Sequence, residues 1–106
     1  MSFDPKKMMA QVAKMQEDLQ RAQEDLANQT VEGSAGGGMV KVTANGQGEI
    51  VKITLAKEAV DPDDVEMLED LILAAIKEAT RTAQALAQQK MSGLTGGLGG
   101  LGLPGL

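Results

Sequence analysis

The sequence predicts an α+β fold with a long N-terminal helix, a three-stranded antiparallel meander and a long C-terminal helix. Three observations support this prediction. Apolar residues recur at helical spacing near both ends, two runs rich in β-branched residues flank Asn-Gly-Gln-Gly at 45–48, and an Asp-Pro pair precedes each helical segment. A chain of 106 residues is expected to form one domain.

The first helix is predicted from about Pro5 to Asn28, with Asp4 as its N-cap and Pro5 at the first helical position. Its apolar residues alternate in steps of four and three, which is the spacing of a coiled-coil seam. A seam this narrow predicts a helix that lies against another helix or projects from the body. The seam consists of Met8, Val12, Met15, Leu19, Ala22 and Leu26.

Three short segments predict the sheet: 30–35 as a weak first strand, then 39–44 and 49–55, with Gly residues at 36–38 as a flexible connection. The apolar face of such a small meander requires a helix to cover it.

The second and third strands are expected to form a tight hairpin centred between Gly46 and Gln47. In this register Lys41 lies opposite Lys52, an arrangement of like charges that is mildly destabilising. Asn45-Gly46 and Gly48 are expected to supply the positive φ angles of the turn.

The second helix is predicted to begin with Asp61 as its cap and Pro62 at its first position, and to end between Lys90 and Ser92. Its apolar stripe is wide enough to cover a sheet and to contact a further element. The stripe consists of Val65, Leu68, Leu71, Ile72, Ala75, Ile76, Ala79, Ala83 and Leu86.

The predicted domain therefore spans 1–91, and 92–106 is a Gly/Leu-rich tail. Frequent glycine makes ordering of this segment costly, which favours a flexible tail. Its repeated leucines leave open a second interpretation, in which the tail docks weakly in an apolar groove.

Composition disfavours catalysis and metal binding. The chain has no cysteine and no histidine, which removes thiolate nucleophiles, the commonest general base and the commonest metal ligands. The glycine runs lead into strands and lack the Lys-Ser/Thr pair of a phosphate-binding loop. We therefore expect no cofactor, no metal and no small-molecule substrate.

No segment is typical of a signal peptide or a membrane span, so the expected location is cytoplasmic and no membrane partner is predicted.

Basic residues are few but ordered. On the first helix Lys7, Lys14 and Arg21 recur every seven residues beside the seam, and Lys6 extends this stripe at the helix start. On the second helix Lys77 and Arg81 are one turn apart, with Lys90 beyond them. The acidic residues of the first helix are expected on its other flank and toward its C-terminal end; they are Glu17, Asp18, Glu24 and Asp25. Solvated helix faces are the ordinary interpretation of both patterns.

Three segments carry a resemblance to a known family: "MMAQVAKMQEDLQRAQEDL" near the start, "GGGMVKVTANGQGEIVKI" in the middle and "DPDDVEMLEDLILAAIKEA" after it. In this order, and with the Gly/Leu-rich tail, the chain resembles the YbaB/EbfC family of bacterial nucleoid-associated proteins over residues 3–92. The resemblance implies a tweezer-like homodimer with projecting helical arms that clasps double-stranded DNA in the nucleoid without catalysis.

This resemblance favours the basic residues as a DNA-binding site. The predicted contacts are Lys6, Lys7, Lys14, Arg21, Lys77, Arg81 and Lys90, acting mainly on the phosphate backbone. A dimer would carry a formal charge of about −10, twice −5, but salt screens repulsion beyond about 8 to 10 Å and local cations then decide. A single aromatic residue disfavours single strands and RNA loops, whose binders stack bases on aromatic rings.

Two alternatives remain. The chain is a protein-interaction module if its helical seam and Leu-rich tail serve a protein partner. An enzyme is the third interpretation, because paired carboxylates alone could still support catalysis.

Overall fold

The computed structural model of this chain describes the backbone of residues 4–99 and the side chains of residues 4–94. In chain order the elements are α1 (Pro5–Asn28), β1 (Thr30–Ala35), β2 (Val40–Asn45), β3 (Ile50–Leu55), a short 3₁₀ turn (Lys57–Ala59) and α2 (Val65–Gly99). The strands form one antiparallel sheet in the order β1-β2-β3. The predicted α+β fold is confirmed.

The first helix begins as its sequence predicts. The carboxylate of Asp4 accepts hydrogen bonds from the backbone N–H groups of Lys6 and Lys7, at 3.1 and 3.4 Å, and Pro5 occupies the first turn, where a missing N–H costs nothing. The helix ends at Asn28 because Gln29 adopts an extended backbone and leads directly into β1.

The predicted hairpin register is wrong by two residues. Val42 pairs with Ile53, Lys41 with Thr54 and Lys52 with Thr43, so the two lysines are not opposite each other. The turn is longer than the sequence suggested. The Asn45 N–H donates to the Glu49 carbonyl at 2.9 Å, and this hydrogen bond closes a turn of three residues, 46–48. A register shift follows between Thr43 and Ala44, as in a β-bulge.

The core lies between α2 and the first two strands. Val40 and Val42 are 0% exposed and pack with a row of buried alanines on α2, at positions 75, 79 and 83. Gly33 of β1 permits this approach: a Cβ atom there would lie 2.3 Å from the Ala79 backbone nitrogen. The predicted covering of the sheet by the second helix is confirmed at β1 and β2.

The predicted limits of the second helix are wrong at both ends. Asp61 shapes a turn instead of capping the helix: its carboxylate accepts the Asp63 N–H at 2.9 Å, and its carbonyl accepts the Asp64 N–H. Asp64 is the residue that caps, since its carboxylate accepts the Met67 N–H at 3.2 Å. The helix then continues to Gly99, beyond the expected end near Lys90 to Ser92. The rest of the predicted tail, residues 100–106, lies outside the described residues.

Strand β3 is left largely uncovered. It is an edge strand, and all six of its residues are exposed. Ile53 and Leu55 share the helix-facing side of the sheet with their partners Val42 and Val40, yet they remain 46% and 39% exposed. Helix α2 thus covers only part of the apolar face of its own sheet.

Across residues 4–99, neither helix is apolar enough over sufficient length to cross a membrane.

Candidate nucleic-acid interface

The N-terminal half of α1 projects from the rest of the protein. Every residue from 5 to 16 is exposed, and we call this segment the arm. Burial begins only toward the other end of the helix, where Ala22 and Leu26 are 4% and 5% exposed. At 1.5 Å per residue, Lys7 lies about 28 Å along the helix axis from Leu26.

Helix α1 is anchored through its last two turns. The Gly46 N–H donates to the carbonyls of Leu26 and Gln29, at 2.8 and 2.9 Å, and the Gln47 side-chain amide donates to the Gln23 carbonyl at 3.0 Å. Asn45 and Gly46 do not have the positive φ angles expected of them; within this turn only Gly48 does. The missing Cβ of Gly46 instead admits α1, because a Cβ would lie 2.7 Å from the Leu26 carbonyl oxygen. The hairpin turn therefore holds the C-terminal end of α1, from which the arm projects.

The arm is a purely cationic segment. It contains Lys6, Lys7 and Lys14 and no acidic residue, because the first acid after Asp4 is Glu17. Within the described part of the chain, no ion pair engages any of these three ammonium groups. The positive pole of the helix dipole lies at the same end, so Lys6 and Lys7 add charge where it is least favourable for helix stability. The arrangement places three unpaired cations along an exposed helix whose first turn is capped by the Asp4 carboxylate.

The acidic residues of α1 do not lie on a separate flank as predicted. In the observed helix Asp18 follows Lys14 by four residues and Asp25 follows Arg21 by four, which places each acid beside its base. Arg21 is also paired with Glu17, its Nη2 lying 3.2 Å from Oε1 with both side chains exposed. The basic stripe is therefore unopposed at Lys6 and Lys7, has Asp18 one turn from Lys14, and is paired at Arg21 toward the base of the helix.

The three predicted cations of α2 are divided between two places. Lys77 and Arg81 are both exposed, one turn apart, on the part of α2 that covers the sheet. Lys90 is half-buried at the junction with α1, where its Nζ lies 3.4 Å from the Asp25 carboxylate. Its charge is already engaged in holding the two helices together.

The apolar seam of α1 remains open along the arm. Met8, Val12 and Met15 are 49%, 50% and 42% exposed, whereas Leu19 is half-buried and Ala22 is buried at the anchored end. Met9 is 71% exposed and widens the same apolar surface. The arm therefore presents a cationic flank and an uncovered apolar stripe side by side.

Sequence reasoning missed two features of this region. Gly46 was assigned to turn geometry alone, because the spacing of glycines in the sequence gives no information about a helix packed on one of them. The exposed β3 residues were assigned to a covered face, because alternation of β-branched residues does not reveal how far a helix extends across a sheet.

Comparison with known sequences places the chain in a family. The profile described as the YbaB/EbfC DNA-binding family matches residues 1–98, nearly the whole chain.

The chain belongs to the YbaB/EbfC DNA-binding family.

Relatives of this YbaB/EbfC member carry a common name. A nucleoid-associated protein of Pelotomaculum thermopropionicum is 58% identical over 100 residues, which cover 94% of this chain and 92% of the relative. Nucleoid-associated proteins of Ruminiclostridium cellulolyticum and Streptomyces avermitilis are 56% and 52% identical. Both alignments cover 93% of this chain, with 84% and 88% of the respective relative. These alignments confirm, over nearly the whole chain, the resemblance that the sequence predicted.

A solved structure supports the fold of this family member. The crystal structure of an uncharacterized protein from Helicobacter pylori superposes with a TM-score of 0.76, covering 88% of this chain and 98% of the other. The two sequences are only 18% identical, so this similarity concerns the fold alone.

Proposed function

We propose that this protein binds double-stranded DNA without catalysis, mainly through phosphate contacts, and that it acts as a homodimer in the bacterial nucleoid. The observation that carries this proposal is the arm: three lysines, no acid and no ion pair among the described residues, in a member of a DNA-binding family. The expected consequence in the cell is an effect on nucleoid organisation.

The contacts are ranked by how free each cation is. Lys6, Lys7 and Lys14 come first because their ammonium groups are exposed and unengaged within the described region. Lys77 and Arg81 come second, since they are exposed but lie on α2 apart from the arm. Arg21 and Lys90 come last, because each already has a carboxylate partner that a phosphate must displace.

Flexible lysines on a helix suit a ligand whose negative charges are regularly spaced and can be contacted without reading the bases. Lysine is a point charge without the fixed fork that reads base edges, so these contacts position the duplex and carry no sequence information. The described side chains include no aromatic ring, which disfavours stacking on single-stranded bases. Duplex DNA is therefore the preferred ligand over single-stranded DNA or RNA.

Strand β3 supports the homodimer. Edge strands of stable monomers are usually short, charged or covered, but β3 has six residues with a single lysine and an apolar side formed by Ile50, Ile53 and Leu55. A second copy placed against this edge would cover that apolar surface and bring two arms into one particle. Doubling the arm doubles the number of phosphate contacts.

The experiment is a fluorescence-anisotropy titration at low salt with duplex DNA, single-stranded DNA and RNA of equal length. Lys7→Glu/Lys14→Glu is expected to weaken duplex binding by at least about a hundredfold, since each phosphate contact becomes a repulsion. The matched control is Lys57→Glu, an exposed lysine outside the arm, with an expected change below about threefold. Unchanged duplex affinity in the arm variant, or preference for single strands, would contradict the proposal.

A second function has one observation in its favour. The exposed stripe of Met8, Val12 and Met15 is the kind of surface that a helix of another protein covers. In that case the arm is a protein-interaction module. Replacing Val12 and Met15 by serine distinguishes the two: loss of duplex binding is not expected from the DNA proposal, whereas loss of a nuclease-resistant protein complex is expected from the module.

A further inference from the structure

The β2–β3 turn contains a pair of residues whose covalent chemistry is independent of DNA binding. Asn45 is followed by Gly46, and this is the only Asn-Gly pair in the sequence. In such a pair the backbone nitrogen of the glycine can attack the side-chain carbonyl carbon of the asparagine, because glycine has no side chain to obstruct the approach. The pair is therefore a candidate site of modification by deamidation.

Deamidation at this pair has two steps. First, the Gly46 nitrogen loses its proton to hydroxide and bonds to Asn45 Cγ, while the bond from Cγ to Nδ2 breaks. Nδ2 takes a proton from water and leaves as ammonia, so a succinimide ring remains. Second, water adds to one of the two ring carbonyl carbons and opens the ring. The product is aspartate or isoaspartate, and in isoaspartate the main chain runs through the side-chain carbon.

The folded turn activates the asparagine carbonyl for this attack. Asn45 is 6% exposed, and its Oδ1 accepts hydrogen bonds from the backbone N–H groups of Gln47 and Glu49, both at 3.0 Å. Two donors on one carbonyl oxygen stabilise the negative charge that develops there when a nucleophile attacks the carbon. The electrophile of the reaction is thus already prepared.

Helix α1 blocks the nucleophile. The Gly46 N–H donates to the carbonyls of Leu26 and Gln29, at 2.8 and 2.9 Å. These two acceptors stabilise the protonated nitrogen and oppose the loss of its proton. Leu26 also packs directly on the Gly46 backbone, where a Cβ would lie 2.7 Å from the leucine side chain, and so restricts rotation of the glycine. The reaction therefore requires the C-terminal end of α1 to leave the turn first.

We propose that Asn45-Gly46 is a deamidation site that the C-terminal end of α1 protects, and that becomes reactive when α1 leaves the turn. The product opposes the return of the helix. Aspartate at position 45 puts a carboxylate where Asn45 Nδ2 now donates to Glu49 Oε1 at 2.9 Å, so attraction becomes repulsion. Isoaspartate adds a backbone carbon to the turn and displaces Gly46 from the α1 carbonyls. The turn is thus a one-way switch that frees the base of the arm, and this proposal does not depend on DNA binding.

The test measures deamidation at position 45 by peptide mass spectrometry, in full-length chains incubated at mildly alkaline pH. Each chain is incubated in buffer and in urea, and the ratio of the two rates gives the protection due to folding. The parent is expected to be protected at least about a hundredfold, because only the small population with α1 detached reacts. Leu26→Asp removes the apolar contact with Gly46 and is expected to lower protection at least about tenfold. Val12→Asp, a change at an exposed position of the same seam, is the matched control and is expected to retain the protection of the parent.

Hydrogen exchange on the same samples distinguishes release of α1 from global unfolding. In Leu26→Asp the Gly46 amide is expected to exchange faster, while the amide of Val42 in the central strand stays protected. A milder variant decides the question if Leu26→Asp unfolds. Gln47→Ala removes the hydrogen bond from the Gln47 side chain to the Gln23 carbonyl, and it is expected to lower protection about threefold.

Three results would overturn the proposal. The first is deamidation of the parent that is as fast in buffer as in urea. The second is a variant whose Gly46 amide exchanges faster while Asn45 still reacts at the parent rate. The third is full protection in both Leu26→Asp and Gln47→Ala. The switch itself is tested by Asn45→Asp, which reproduces one product and is expected to speed exchange at Gly46; unchanged exchange would show that deamidation to aspartate does not release α1.

Discussion

The cross-strand pair Val42–Ile53 divides the molecule into two unlike regions. Val42 lies under α2 and is fully buried, whereas Ile53, its direct partner on the same side of the sheet, is 46% exposed. The same contrast recurs along α1, where Leu26 is buried at the junction and Val12 is half exposed on the arm. The chain thus completes one layer of packing by itself and leaves β3 and the arm uncovered.

This difference teaches which interactions are intrinsic and which require a second molecule. Burial of small residues in the α2–sheet layer depends on the chain alone, so its stability is independent of protein concentration. The exposed apolar surface of β3 and the arm gains its stabilisation only when another copy or ligand covers it, so effects there depend on concentration.

The largest effect is expected at Gly33, within the intrinsic region. In Gly33→Ala the new Cβ would overlap the backbone of Ala75 and Ala79, both in a helix that cannot move without leaving the core. The free energy of unfolding is expected to fall by about 3 kcal/mol or more, which is the upper end of the range for overpacking substitutions. Urea denaturation at two protein concentrations measures it, with Ser34→Ala as the neighbouring control. A variant as stable as the parent would show that α2 does not rest on β1.

The next largest effect is expected at Ile53, within the uncovered region. In Ile53→Asp a charge enters the proposed dimer interface, and the dimer dissociation constant is expected to rise more than about a hundredfold, or about 3 kcal/mol. Sedimentation velocity over a dilution series measures it. Thr54→Asp, the next residue on the opposite side of the strand, is the control and is expected to remain dimeric. Dimers of equal strength in both variants would exclude β3 from the interface.

An intermediate effect is expected where the two regions meet. In Gly46→Ala the added Cβ overlaps the Leu26 carbonyl oxygen and side chain, so the base of α1 must move away from the turn. The expected cost is about 1 to 2 kcal/mol, together with a displaced arm. Distances between spin labels placed at Gln16 and Ala85 measure the displacement. An unaltered distance distribution would show that packing of α1 on the turn does not fix the position of the helix.

The smallest effect is expected at the Lys90–Asp25 pair. A partly exposed ion pair contributes about 0 to 1 kcal/mol, and Lys90→Gln is expected to change stability by no more than this. Duplex affinity is expected to fall less than in Lys7→Gln, because the Lys90 charge is already shared with Asp25. The exchanged pair Asp25→Lys/Lys90→Asp is expected to restore stability in thermal denaturation. A larger loss of affinity for Lys90→Gln than for Lys7→Gln would reverse the ranking.

Local chemistry explains why the order of elements could be predicted from the sequence. Asp4 with Pro5, the β-branched runs and the wide apolar stripe of α2 each act through neighbours close in sequence, and the structure confirms them. The start of α2 was missed because Asp61 and Asp64 are both able to cap. Only the observed turn, in which Asp61 accepts the Asp63 N–H, decides between them.

Features set by distant contacts could not be predicted in this way. The hairpin register depends on a shift in the β2–β3 pairing between Thr43 and Ala44, which the alternation of apolar and polar residues does not encode. The pairing of Lys90 with Asp25 and the seating of Leu26 on Gly46 both require knowing where α1 lies. For the candidate site, the sequence predicted the cations, and the structure distinguishes those without an ion pair among the described residues from those already paired.

The most direct test of the central claim, that two exposed arms bind duplex phosphates, is the salt dependence of duplex affinity. Plots of log Kobs against log salt concentration are compared for the parent chain, Lys7→Gln/Lys14→Gln and the control Lys57→Gln. If both arms of a dimer engage DNA, the arm variant loses four phosphate contacts and its slope is expected to be shallower by about 4. A slope equal to that of the parent would contradict the claim, because the arm lysines would then release no counterions on binding.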